Sequence, residues 1–305
     1  MMRLASVLIM LMLLPGYLSG QLISLSGQYL NNTLVINPAF AGCHEALSTS
    51  LSYRNQWVGF SGAPENIILS AHAPLNHDRV GVGLLLERST IGIYNTTTFT
   101  GNYAYRMELY EGKLALGLGF GAAVYNVAWD RLIAEQSGDE LLSDNTPTAI
   151  LPDFSLGGYY YTRKYFVGLS LPMFLSHDLN KNTGRYNIKN KFSDYTYLLS
   201  GGYFLDIKPG LRVLPSMLLK LHNGSNQADI NAQVILKDKI WVGAGYRTSE
   251  VLVGMFQCQV NYQLRAAYSY DFNLGAIGNY ARSSHEIVLS YVFSYVRKVA
   301  GPRQF

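Results

Sequence analysis

The sequence predicts an all-β protein, a transmembrane antiparallel β-barrel of about fourteen strands. Three observations predict it. The first is alternation with a period of two, the strand period. Over 261–271, Tyr262, Leu264, Ala266, Tyr268 and Tyr270 share one side against Asn261, Gln263, Arg265, Ala267, Ser269 and Asp271. Over 286–295, Ile287, Leu289, Tyr291, Phe293 and Tyr295 oppose Glu286, Val288, Ser290, Val292 and Ser294. The second is the sorting of connections. Odd connections include the long stretches 129–151, 175–193 and 272–284, whereas even ones are mostly tight turns at Glu111, Thr162, Pro209 and Asp238. One rim of long loops and one of short turns is the outer-membrane pattern, and a soluble sandwich has no reason to adopt it. The third is composition: 23 Tyr, 29 Gly and only 14% charged residues suit an aromatic-belted β-protein better than a helical one.

Taken in order, the chain opens on an export signal over 1–20. Arg3 is the charged start, 4–14 the apolar core, and Ser19 and Gly20 the small residues before cleavage. The apolar run is too short for a spanning helix, which needs about 20 residues. Residues 21–46 are expected as a periplasmic N-terminal segment that either reaches periplasmic partners or plugs the pore. The barrel is expected over 47–296, with a C-terminal tail over 297–305. Expected strands are 47–58, 65–73, 79–88, 93–108, 113–128, 152–161, 164–174, 194–207, 210–222, 227–237, 239–247, 251–259, 261–271 and 285–295. An exported chain that crosses lipid without helices must close its sheet, because lipid satisfies no backbone group.

Local features refine these elements. In 113–127, Leu114, Leu116, Leu118 and Phe120 face Ala115, Gly117, Gly119, Gly121 and Ala123. The glycines read first as room for strand curvature, and second as space for something packed against the wall. Pro215 predicts a bulge, since it cannot donate to a ladder. Tyr105, Tyr110, Tyr159, Tyr160, Tyr161, Tyr165, Trp129 and Trp241 fall near strand ends and are expected in the interfacial girdles. Polar candidates for the lumen are Arg106, Arg247, Gln263, Arg265 and Asp271; solvating the interior is their plain role, and anchoring a plug or meeting a substrate the sharper one. Cys43 and Cys258 either pair or remain free thiols. FAGC at 40–43 lies too far from the signal core to be a lipidation box.

Several chemistries have no support. The net charge of +4 is spread without a basic block, so no nucleic-acid partner is expected. There is no HExxH, CxxC or GxSxG. His72 and His77 flank a short turn and read as solvated surface. GLGFG at 117–121 is a strand rather than a phosphate loop. No enzyme activity, cofactor or metal site is expected.

Three stretches carry a resemblance: INPAFAG at 36–42; YRNQWVGFSGAPENIILSAHAPL at 53–75; and LPSMLLK at 214–220, KIWVGAGYRTSE at 239–250, QLRAAYSYDF at 263–272 and SSHEIVLSYVF at 283–293. Together they resemble the PorP/SprF family of Bacteroidota outer-membrane proteins associated with type IX secretion and gliding. RNQWVGFSGAP is the most specific. The resemblance implies a barrel in the outer membrane that aids export or surface attachment of a large adhesin with a C-terminal sorting domain, through contacts with type IX secretion and periplasmic components. The matching positions are Asn37, Pro38, Ala39, Gly42, Arg54, Asn55, Gln56, Trp57, Gly59, Phe60, Ala63 and Pro64. Each has both a structural and a partner-binding reading: Pro38 fixing a turn, Gly59 and Gly62 bending the first outer loop, Trp57 anchoring at the membrane edge, Arg54 pairing in the lumen. The rival function is an outer-membrane channel for small solutes, since a barrel of this size lies between filled barrels and open porins.

Overall fold

A computed structural model describes residues 26–293 except 45, 76–78, 129–148, 175, 181–184, 190–191, 193–194, 223–224 and 282. The signal over 1–20, the tail over 297–305, Trp129 and His77 lie outside the described residues. The strands are β1 (Leu47–Asn55), β2 (Glu65–Leu75), β3 (Val80–Ile91), β4 (Tyr94–Leu109), β5 (Gly112–Val127), β6 (Ala149–Tyr161), β7 (Tyr165–Leu171), β8 (Ser176–Asn180), β9 (Arg185–Lys189), β10 (Tyr197–Tyr203), β11 (Leu205–Lys208), β12 (Leu211–Leu221), β13 (Gln227–Leu236), β14 (Ile240–Arg247), β15 (Val251–Gln259), β16 (Leu264–Asn273) and β17 (Ser283–Phe293).

From β1 to β7 and from β11 to β17 each strand pairs antiparallel with its sequence neighbours, β7 pairs with β10 across the separate β8–β9 hairpin, and β1 closes on β17 with Leu47 opposite Phe293. The circuit is completed where β10 pairs with β12. β10 and β11 form one stave interrupted at Phe204, so the 15-stranded sheet is a closed barrel of fourteen staves. Closure leaves no edge, which is what a hydrocarbon surrounding demands.

The alternation sorts residues inside from out. Leu84, Leu116, Leu118, Phe120, Leu169, Ile287 and Leu289 point outward. Ser48, Ser50, Ser52, Arg54, Ser269, Asp271 and Glu286 are buried inward. This inversion of the soluble rule is the membrane-barrel arrangement.

The turns at 110–111, 162–164, 209–210 and 237–239 lie on the rim where β1 starts and β17 ends. Lys237 and Asp238 have φ of 50° and 53°, the mirror-image turn that suits strand twist. The opposite rim carries loop 56–64 and the Ala276–Asn279 turn, and is the outer face.

Four expectations need correction. The connection after β7 was expected to be plain loop but contains the β8–β9 hairpin. Pro215 makes no bulge in its own strand: β12 stays in register with β13 from Leu211 to Lys220. Its missing N–H instead falls where β10 hands over to β11, and the register shift lies between Asp206 and Lys208. Tyr159, Tyr161 and Trp241, expected at the girdles, are buried inside the barrel, because they occupy the inward parity of β6 and β14. Tyr105, Tyr110 and Tyr165 do face outward. His72, expected on the surface, shares the inward face of β2 with Asn66 and Ser70 and is buried.

Candidate functional site

The lumen holds residues 26–44, so this part of the N-terminal segment takes the plug position rather than extending into the periplasm. The segment runs from the outer half of the lumen, beside Glu286, to the inner rim where β1 begins. Burial of Leu34, Ile36 and Phe40 contributes roughly 1.5–3 kcal/mol each. Around them lies the molecule's apolar core, including Ala115, Tyr159, Phe166, Leu214, Ile235 and Trp241.

The NPAFAG residues explain how a chain without regular helix or strand fits so closely. Asn37 caps the short 3-10 turn Pro38–Phe40 by accepting from the Ala39 amide at 3.0 Å. Pro38 takes the first position, where its missing N–H costs nothing. The Asn37 amide nitrogen also donates to the Gly158 carbonyl at 3.0 Å and to Leu169 at 3.4 Å, tying the turn to β6 and β7. Phe40 meets Tyr159, His72 and His44 edge-on, with ring centroids 5.5–5.6 Å apart. The Ala41 carbonyl accepts from Arg106 at 3.1 Å. Gly42 has φ of +68°, open to glycine at little cost, and its amide donates to His72 Nδ1 at 3.1 Å.

The wall is cut to receive this backbone. A Cβ on Gly117 would lie 2.1 Å from the Ala39 nitrogen, one on Gly81 1.9 Å from the Ala41 oxygen, and one on Gly157 2.0 Å from Asn37 Oδ1. Close packing against the wall thus accounts for Gly117. Gly119 and Gly121 are crowded by the neighbouring strands instead, through Ser155 Oγ and the Phe99 carbonyl.

At the outer end the plug is held by charge. Glu286 accepts from the Ser26 hydroxyl and, at 3.1 Å, from the Gly27 amide. Arg54 donates to Glu286 at 3.1 Å and to Asp271 at 2.6 Å. Arg247 binds Asp229 at 2.9 Å and Asp271 at 3.2 Å, and the charge of Lys220 faces Asp229. Three cations against three carboxylates satisfy the requirement that buried charges be paired. Asp229, Glu286 and Lys220 were not singled out from the sequence. Their signal was available: each lies on the inward parity near the outer end of its strand.

The remaining candidates fall into separate places. The loop 56–64 is an ordered cap on the outer rim. Gln56 donates to the Pro64 carbonyl at 2.9 Å, the Trp57 amide to Ser284 Oγ at 3.2 Å, and Val58 to Ser283 at 2.9 Å. Asn55 ends β1 opposite Glu65 and His285. The Ala63 amide donates to the Phe60 carbonyl. Gly59 and Gly62 have φ of +94° and +74°, which lets the loop fold back. Trp57 is half-buried at φ 54°, while Val58 and Phe60 are exposed. Gln263 and Arg265 sit at the inner rim, away from the charge network. Cys43 and Cys258 are both free. Burial pushes the Cys43 thiol up to about 11 and the Tyr29 phenol up to about 12. His44 is held well below its ordinary 6.5, first by burial and then by the nearby His72 and Arg265.

The sequence model of the family described as type IX secretion system membrane protein PorP/SprF matches residues 19–291. No curated protein matches the chain. Among solved structures it is similar to Acinetobacter baumannii outer membrane protein Omp33, with 7% identity over 83% of this chain and 100% of that one at a TM-score of 0.48. It is also similar to the Pseudomonas putida toluene transporter TodX, with 12% identity over 90% and 94% at a TM-score of 0.49. A third is the KdgM porin, with 10% identity over 81% and 99% at a TM-score of 0.41. The closed ladder itself, and not these likenesses, establishes the fold. The protein is an outer-membrane β-barrel, and it belongs to the PorP/SprF family of type IX secretion system membrane proteins.

Proposed function

We propose that this barrel aids the export or surface attachment of a large adhesin bearing a C-terminal sorting domain, by protein–protein recognition rather than by catalysis or solute passage. The observation that carries this reading is the filled lumen. Residues 26–44 occupy it, pinned at one end by Glu286 and at the other by Arg106 and His72. The cavity that remains at the inner end is about 50 Å³, room for a few waters and no more. What such a barrel can offer a partner is its two rims. On the outer rim, loop 56–64 presents Val58 and Phe60 to solvent on a backbone fixed by bonds to β17. An ordered loop with exposed apolar side chains binds without first losing much entropy.

The match to the PorP/SprF family model supports an association with type IX secretion components, and the adhesin is inferred beyond it. Deleting the gene is expected to remove the adhesin from the cell surface, measured by surface labelling of intact cells. Normal display in the deletion strain would overturn the reading. Purified protein in planar bilayers separates it from the solute-channel reading: an electrically silent barrel is expected, and steady conductance would favour the channel.

A further inference from the structure

The cavity at the inner end of the lumen has a use that neither the plug nor the charge network supplies. Its walls include Asn32, His44, Ser48, Gln263 and Arg265. Among the described residues, no aspartate or glutamate lines it, and none lies within ion-pair distance of Arg265. The guanidinium donates through Nε to Gln259 Oε1 at 3.2 Å and stacks on the Trp241 ring at 4.9 Å. Both contacts fix its plane and leave its two terminal nitrogens for another acceptor. The carboxylate whose charge reaches it, Asp238 on the turn at 237–239, is already bonded to Arg212 of β12. A second donor is in the same condition. Asn32 Nδ2 is buried and has no hydrogen-bond partner, although its Oδ1 accepts from Ser70 at 2.9 Å. Among the described residues the cavity therefore has a surplus of donors, one unneutralised cation, and a position beside the inner-rim turn that carries Gln263. A half-buried arginine facing a small cavity that Leu30, Phe40, Leu214 and Val292 also line costs desolvation that an anion would offset.

We infer that Arg265, aided by Asn32, forms a carboxylate-binding site open to the periplasmic side of the barrel. The planar fork of an arginine matches a carboxylate through two parallel hydrogen bonds. The cavity admits that one group and little more, so the ligand is either a small carboxylic acid or the free carboxyl end of a chain whose remainder stays outside. This site does not depend on the adhesin reading, since either kind of ligand fits it.

Trp241 under Arg265 supplies the readout. The full chain in detergent, with Trp57→Phe and Trp129→Phe so that Trp241 alone emits, is titrated with N-acetyl-alanyl-alanine, with its carboxamide, and with sodium acetate. The acid is expected to change the emission saturably, and the carboxamide to bind at least about tenfold more weakly, because it lacks the charge. Acetate is expected to compete. Acetate binding as tightly as the dipeptide marks a small-acid site, whereas tighter dipeptide binding marks a chain end. Arg265→Gln should abolish the response while the barrel keeps its heat-modifiable gel mobility, and Arg265→Lys should retain part of it. An equal response to acid and carboxamide, undiminished binding in R265Q, or no saturable change with any probe would overturn the proposal. The acid–carboxamide comparison needs no Arg265 variant, so a folding failure in R265Q leaves the test intact.

Discussion

Gly117→Ala is the most direct perturbation of the plug. The added methyl carbon would lie 2.1 Å from the Ala39 nitrogen and 2.4 Å from both the Ala39 Cα and the Pro38 carbonyl carbon. These are backbone atoms, so no side-chain rotation relieves the clash. Restoring ordinary contact requires the 3-10 turn Pro38–Phe40 to move by more than about 1 Å from the wall. Such a shift strains the Asn37 bonds to Gly158 and Leu169, each contributing about 0.5–1.5 kcal/mol. Overpacking of this kind typically costs about 1–3 kcal/mol. Taking about 2–3 kcal/mol against docking, the undocked fraction rises roughly 30- to 140-fold. Planar-bilayer recording should then show intermittent openings in G117A where the parent is silent, with the folded barrel retained on unheated gels. Gly101→Ala is the control, since its added carbon has only the Phe120 carbonyl nearby, at an ordinary 3.8 Å. A G117A protein as silent and as stable as its parent would refute the claim that this glycine exists to seat the plug.

Other outcomes follow from the same geometry. Cys43, buried against the Ala39 carbonyl with its thiol pushed up to about 11, should resist a water-soluble maleimide at pH 7 in a Cys258→Ser background, and should become labelled in G117A; prompt labelling of the parent would mean the plug is not seated. Arg54→Met removes the cation bound to Glu286 and leaves Asp271 with Arg247 alone, and should cost about 3–5 kcal/mol, read as a lowered unfolding midpoint in denaturant; an unchanged midpoint would deny the network a stabilising role. His44 is neutral when folded, its value lying well below the ordinary 6.5. The folded state therefore takes up no proton there while the unfolded chain does, so stability is complete above about pH 6.5 and falls as the pH drops below it, by up to about 1.4 kcal/mol per pH unit. His44→Gln should flatten part of that decline in melting experiments between pH 7 and pH 5, and superimposable pH profiles would reject the assignment.

The strands were legible because their signal is local. Alternation decides which side chains share a face, and an observed strand such as Val251–Gln259 needs nothing more than its own nine residues. Membership of a face did not tell lumen aromatics from girdle aromatics. Tyr159, Tyr160 and Tyr161 are consecutive, and only the parity of β6 relative to the closed barrel sends Tyr159 and Tyr161 inward. The Asn–Pro pair at 37–38 announced a turn, yet nothing near it indicated that its partners would be Gly117, Gly157 and Gly158.

By itself the sequence determined the class of fold, the near-register of most strands, the inequality of the two rims and the family motif, because periodicity, turn chemistry and loop length act over a few residues. The tertiary structure alone decided that residues 26–44 fill the lumen, that Glu286 reaches both Arg54 and the plug across 232 and 259 positions of chain, and that Arg265 faces a cavity with no carboxylate among the described residues that line it. Those arrangements depend on closing the cylinder, which brings residues into contact whose separation in sequence carries no trace of their meeting.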